Sequence, residues 1–193
     1  MERISASNIP GLDAEIRSAR EGDEAAFAAV WRAFNPTLVR YLRTRAPDLA
    51  DDAAAETWLA VVRGLRTFEG DVAGFRSWLF TIARSKVADA ARKAARTRAV
   101  LVDDWTLIEP VAGADVAGDV LAELGTERAI RLVSSLPPDQ AEIVALRVLA
   151  DLDVAAVAKI VGKSPGAVRV AQHRALKRLA DLVREHPPEG SGK

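Results

Sequence analysis

Apolar residues recur through most of the chain at the three- and four-residue steps of an amphipathic helix, and no segment alternates as a half-buried strand does. In "DEAAFAAVWRAF" they fall at Phe27, Val30, Trp31 and Phe34, one helical face. Asn35 and Pro36 then offer a cap and a first-turn proline, which predicts that the helix restarts there. Leu38, Tyr41 and Leu42 carry an apolar face to about Arg45, and Pro47 breaks it. "DLADDAAAETWLAVVRG" opens with aspartates suited to a helix N-terminus and ends on Gly64, a C-terminal cap. After the loop "RTFEGDVAG", a long helix begins with Phe75, Trp78, Leu79, Ile82 and Val87 on one face and turns into alanine and basic residues. Periodicity lapses from about 99 to 119 among Pro110, Gly113, Gly118 and acids, which predicts a linker.

Helical pattern resumes in the last third. Pro137 and Pro138 start one helix, with Ile143, Leu146, Leu149 and Ala150 on a face. "DVAAVAKIV" supplies Asp153 as a cap and Val154, Val157, Ala158 and Val161 on another. In "GKSPG", Gly162 allows a tight turn, Ser164 can cap, and Pro165 suits a first helical position. A final helix to about Arg184 follows. A short capped helix, a glycine turn and a basic second helix make a helix-turn-helix. On a wheel of about 100° per residue, Val168, Gln172, Ala175, Leu176, Leu179 and Leu182 gather on one side. Arg169, Val170, His173, Arg174, Lys177 and Arg178 hold the other. The B-DNA major groove admits such a helix, its N-terminal residues nearest the base edges. Arg169 and His173 are the candidates for reading bases; Lys163, Arg174, Lys177 and Arg178 are candidates for phosphate. Gln172 falls in the apolar sector and is expected to make a structural hydrogen bond.

Charge sharpens this picture. The chain has 27 basic and 27 acidic side chains, but they are segregated. Arg76 to Arg98 holds seven bases and one acid, Ala99 to Glu127 seven acids and no base, and Val154 to Ala180 six bases and no acid. Basic patches of this kind are the footprint of a nucleic-acid partner. Aromatics precede the first of them. Phe75 and Trp78 lie at core spacing, so the loop Phe68 to Gly74 is the better candidate for stacking an unpaired base, an interaction of about 1–3 kcal/mol. Asp51 and Asp52 complement a helix dipole, whereas Glu56, a turn further in, is left over for a basic partner.

Composition excludes several classes. There is no cysteine, hence no disulfide, thiolate metal site or cysteine nucleophile. The only histidines are His173 and His186, no glycine-rich phosphate loop is present, and no metal-ligand spacing occurs. No catalytic residue, cofactor, metal or small-molecule substrate is expected. No apolar run marks a leader or a membrane span, which predicts a cytoplasmic protein.

Together, "ADDAAAETWLAVVRG", "FRSWLFTIARSKVADAARK" and "LPPDQAEIVALRVLADLDVAAVAKIVGKSPGAVRVAQHRALKRL" resemble the bacterial extracytoplasmic-function (ECF, group IV) sigma factors of RNA polymerase. The resemblance implies an all-α chain of two small helical domains. Residues 12–98 would form sigma domain 2 and 123–185 sigma domain 4 with its helix-turn-helix, with an acidic linker at 99–122 and a tail at 186–193. It implies docking of Asp51, Asp52, Glu56 and Trp58 on the β′ clamp helices of core polymerase, with the β flap as a further partner surface. Recognition of the −10 element would fall to Phe68, Glu69, Ser85, Lys86, Asp89, Arg92, Lys93 and Arg96. The −35 element would be read by Lys163, Ser164, Arg169, Val170, His173, Arg174, Lys177 and Arg178. Members are usually controlled by an anti-sigma factor, some of which hold their partner at the membrane, and some members carry an extra C-terminal domain for which this length leaves no room. The chain departs from the common family pattern at Ala55, Ser85, Val170 and Ala171. The alternative is a dimeric helix-turn-helix regulator with an N-terminal helical sensing domain. It accounts for the C-terminal basic helix but not for Arg84–Arg98.

Overall fold

The computed structural model describes residues 11–101 and 126–185, without the side chains of 94–101, 126, 183 and 185. The described residues are helical in two groups. The first comprises α1 (Leu12–Glu21), α2 (Glu24–Arg45), α3 (Ala50–Gly64) and α4 (Val72–Leu101); the second comprises α5 (Thr126–Ser134), α6 (Pro138–Val144), α7 (Val154–Val161) and α8 (Pro165–Glu185). Short 3₁₀ turns flank α3, and α6 runs on into five residues of wider π-type helix, Ala145–Leu149, closed by Ala150 N–H on the Ala145 carbonyl. Most of the expected acidic linker and all of the expected tail lie outside the described residues.

In the first group α2 is the central helix. Its buried stripe Val30, Phe34, Leu38, Tyr41 and Leu42 meets Val61 of α3 and Phe75, Leu79 and Phe80 of α4. Edge-to-face rings lock the packing: Tyr41 against Phe80 with centroids 5.3 Å apart, and Phe27 against Trp58 at 5.9 Å. The expected restart at Pro36 does not occur. α2 continues through the proline as one helix of 22 residues. Asn35 is not a cap there; its side-chain oxygen accepts the Trp58 indole N–H at 2.9 Å. The apolar stripe on both sides of Pro36 is buried in one core, and that burial outweighs a lost hydrogen bond and the ring clash of about 3 kcal/mol.

Gly64 also differs from expectation. Its φ of −98° is ordinary, so it is no left-handed cap. A Cβ there would lie 2.8 Å from the Trp78 ring, so glycine is required because the indole lies on the backbone. In the second group the expected caps form: Asp153 accepts Ala156 N–H at 2.7 Å, Ser164 accepts Ala167 N–H at 3.2 Å, and Pro138 opens α6. Ile143, Val144, Leu146, Val157, Val168, Ala175 and Leu179 close its core, which is continuous with that of the first group.

Candidate nucleic-acid interface

The helix-turn-helix is built from local instructions. Gly162 turns the chain between α7 and α8 with φ of 68°, a left-handed conformation that glycine adopts without cost. Val168, Ala175 and Leu179 are wholly buried and fix α8 on α6 and α7, while Arg169, Val170, His173, Arg174, Lys177 and Arg178 are exposed. Gln172 makes the structural bond expected of it, accepting from Arg147 Nε at 3.1 Å. Val170, half exposed, is a large apolar side chain on an otherwise basic face.

Lys163 is held differently from the other bases. Its Nζ is 2.9 Å from Asp139 in the first turn of α6. The hydrogen bond from Lys163, then its charge, holds the Asp139 carboxyl below its ordinary value of 3.8. With the folded value depressed, the pair's contribution is present above the ordinary carboxylate range and fades as pH falls through the folded value. Lys163→Met is expected to move the Asp139 titration upward, as read by carboxyl NMR; an unchanged titration would show that the pair does not persist in solution.

The −10 candidates divide. Phe68 is half-buried and stacks on Trp78, with centroids 5.1 Å apart and planes 22° from parallel, while its edge meets Phe75 at 5.7 Å. The loop's stacking surface is thus already ordered by intramolecular aromatic contacts. The start of α4 is pinned twice, Asp13 accepting Val72 N–H at 2.9 Å and Asp71 accepting Gly74 N–H at 2.7 Å. Glu69, Ser85, Asp89, Arg92 and Lys93 are exposed along this loop and helix, Asp89 pairing with Arg92. Lys86 is half-buried and lies 3.5 Å from Glu56 of α3. The Arg96 side chain lies outside those described.

On α3, Asp51, Asp52 and Glu56 are exposed. Trp58 faces inward, 7% exposed, so its indole supports α3 from within. The apolar residues presented outward are Leu59 and Val62, 49% and 53% exposed, with Trp31 of α2 at 42%. The helical wheel carries this distinction: Ala54, Trp58, Val61 and Leu65 form the inward stripe, and Asp52, Glu56, Leu59 and Arg63 the outward one.

Other charged residues of the basic stripe are engaged between the two helical groups. Arg76 is 3% exposed, with Nη1 3.0 Å from the Asp151 carbonyl and 3.1 Å from its carboxylate. Burial lowers the guanidinium's pKa, and Asp151 offsets this. Arg84 donates to Glu142 Oε1 at 2.9 Å. Glu142 is 6% exposed and also lies 3.4 Å from the Tyr41 hydroxyl. Burial first, then the Glu142 charge, push the Tyr41 phenol well above its ordinary value, so it remains a donor. Among the described residues no helix is long and apolar enough to cross a membrane.

Residues 27–97 match the family described as Sigma-70 region 2, and residues 126–179 match Sigma-70, region 4. The ECF RNA polymerase sigma factor SigD of Mycobacterium tuberculosis is 37% identical over 182 residues, covering 89% of this chain and 84% of that protein. ShbA of Streptomyces griseus, another ECF RNA polymerase sigma factor, is 34% identical over 187 residues, covering 90% and 96%. Among solved structures, the sigma factor RpoE of Bartonella quintana, in complex with the anti-sigma factor NepR, matches in fold with a TM-score of 0.64 at 24% identity, over 83% of this chain and 98% of that one. The segregated charges, the capped helix-turn-helix and these relatives converge: the chain belongs to the ECF family of RNA polymerase sigma factors, with region 2 in α2–α4 and region 4 in α5–α8.

Proposed function

We propose that this chain binds core RNA polymerase and directs it to promoters carrying a −35 and a −10 element, lending recognition and strand separation to an enzyme while performing no chemistry itself. The observation that carries the reading is the α8 face: Arg169, His173, Arg174, Lys177 and Arg178 stand exposed on a helix whose opposite side is anchored by Val168, Ala175 and Leu179. The division of labour is residues 12–98 for polymerase and the −10 element, 123–185 for the −35 element, and 99–122 as the connection. Two modest contacts on one duplex gain through linkage.

Asp51, Asp52 and Glu56 on α3 meet the polymerase clamp, with Leu59 and Val62 supplying the apolar part of that surface and Trp58 holding the helix from behind. The loop from Phe68 and the exposed residues of α4 meet the −10 strand. The work takes place in the cytoplasm, and an anti-sigma factor that covers these surfaces is the expected regulator, as NepR is the partner of the Bartonella protein.

Run-off transcription with purified core polymerase tests this reading. The chain is expected to bind core and to stimulate transcription from a subset of genomic promoters; neither binding core nor stimulating any promoter would refute it. Binding of duplex promoter DNA as a dimer, without polymerase, would favour a conventional repressor or activator. Within the −35 reader, Arg169→Ala is expected to change which sequences are used, by about 1–3 kcal/mol per lost base contact. Lys177→Ala should instead weaken all promoters alike and lower the salt slope by about one. Equal, sequence-blind losses would move Arg169 to the phosphate class.

A further inference from the structure

Resting on the promoter reading, we propose that Val170 reads the C5 methyl group of a thymine in the −35 element, an apolar, specificity-determining contact on an otherwise cationic face. Val170 is 51% exposed, and the other large hydrophobic side chains so exposed among the described residues, Trp31, Leu59 and Val62, lie on α2 and α3. Its place on α8 is the informative part. At about 100° per residue it stands between about 180° and 220° round from Val168, Ala175 and Leu179, the wholly buried anchors, so it projects directly away from the body of the protein. His173 and Arg174 flank it one turn on, and Lys177 follows two turns on, all exposed. From Val154 to Ala180 the chain carries six bases and no acid. Such a rim selects a polyanion, and the apolar tip at its centre then needs an apolar group within that polyanion.

Duplex DNA offers one. Of the groups that the four base pairs present on the floor of the major groove, only the thymine methyl is apolar. The helix itself gains nothing from this side chain: a β-branched residue on an outer face favours the helix less than alanine does, and half of Val170 stays in water. Its stiffness suits a contact. In a helix valine keeps essentially one χ1 rotamer, so its methyls are presented ready-placed and lose little freedom on meeting a base. Gly166 lies one turn earlier, within about 40° of the same azimuth, and carries no side chain. A Cβ there would meet nothing nearer than Ser164 Oγ at 4.0 Å, so packing within the protein does not call for glycine. The gap lets the start of α8 sink towards the base edges until Val170, in the second turn, touches the floor. Lys177 and Arg178, further along, remain for the phosphates.

The full chain assembled with core polymerase is first used to select −35 sequences from a randomised promoter library. Thymines of the selected element, on either strand, are then replaced one at a time by deoxyuridine, which removes the methyl and keeps the O4 acceptor and the pairing. At one position the wild-type holoenzyme is expected to bind about fourfold more weakly, the worth of one buried methyl-sized group. Val170→Ala is expected to bind the thymine and uracil promoters equally, both about as weakly as the wild type binds uracil, which closes a double-mutant cycle. The position is exposed, so the melting temperature of this variant should match that of the wild type. Selection of no sequence overturns the promoter reading, and the thymine contact with it. A selected element that lacks thymine, or that tolerates uracil at every thymine, overturns the contact alone. So does a Val170→Ala holoenzyme that still prefers thymine to uracil, because another side chain then reads the methyl.

Discussion

Phe75→Ala is expected to cost about 3–5 kcal/mol of stability, the range for truncating a buried aromatic ring. In a chain of this length that lowers the melting temperature by on the order of 10 °C. The size of the effect follows from position. Phe75 is wholly buried and touches three rings: Phe34 of α2 at 5.2 Å, Phe68 at 5.7 Å and Trp78 at 5.8 Å. Its loss opens a cavity at the junction of α2, α4 and the loop that carries the −10 candidates. The Phe68–Trp78 stack then loses its floor, so promoter melting should suffer beyond what lower stability explains. Calorimetry of the full chain, paired with a permanganate assay of strand opening, measures both. Phe68→Ala, at a half-buried position, should be clearly milder in the melt. A Phe75→Ala chain that melts like the wild type would mean that this ring cluster is not the core it is described as.

Leu179→Ala carries the second large effect, about 2–5 kcal/mol for a buried leucine. Leu179 is wholly buried late in α8, and with Ala175 and Val168 it fixes that helix, the proposed −35 reader, on α6 and α7. The variant keeps every basic side chain of the DNA-facing surface, yet its −35 recognition should be lost, because the face is no longer presented by a fixed helix. Thermal unfolding followed by circular dichroism, alongside −35-dependent transcription, distinguishes this from a surface change. Arg174→Ala, on the exposed side of the same helix, should weaken transcription with an unaltered melt. Native melting and full −35 use in Leu179→Ala would refute the anchoring role.

Legibility in the sequence follows the range of the interaction. Ser164, Pro165, Asp153 and Pro138 act on backbone groups two to four residues away, and the sequence states them outright. A wheel alone says that Gln172, a polar residue within an apolar sector, needs a hydrogen-bond partner, but only the fold names it as Arg147, 25 positions away. Pro36 misleads because its local preference for a helix start is overruled by packing on both sides of it. Gly64 misleads for the same reason: its neighbour Trp78 is 14 positions away and invisible to cap rules. The resemblance groups Trp58 with the docking acids, but only the partition of α3 into an inward and an outward stripe separates it from Leu59 and Val62. The contact between the units was beyond local reasoning altogether, since Tyr41 and Glu142 are 101 residues apart and nothing in either segment names the other. Arg76 and Arg84 count as cations in a basic stripe until the fold shows which acids they meet.

The π-type turn at Ala145–Leu149 has a consequence for aim. Such a turn amounts to an α-helix carrying one additional residue. In a regular helix an extra residue would swing everything after it round the axis by about 100°; the wider turn absorbs the residue instead, its five residues advancing about as far round the axis as four of α-helix. Asp151 thereby keeps the azimuth at which Arg76 finds it, and α7 and α8 follow from there. The wider turn thus preserves the compass bearing of α8, a property of phase that no residue of its exposed face controls.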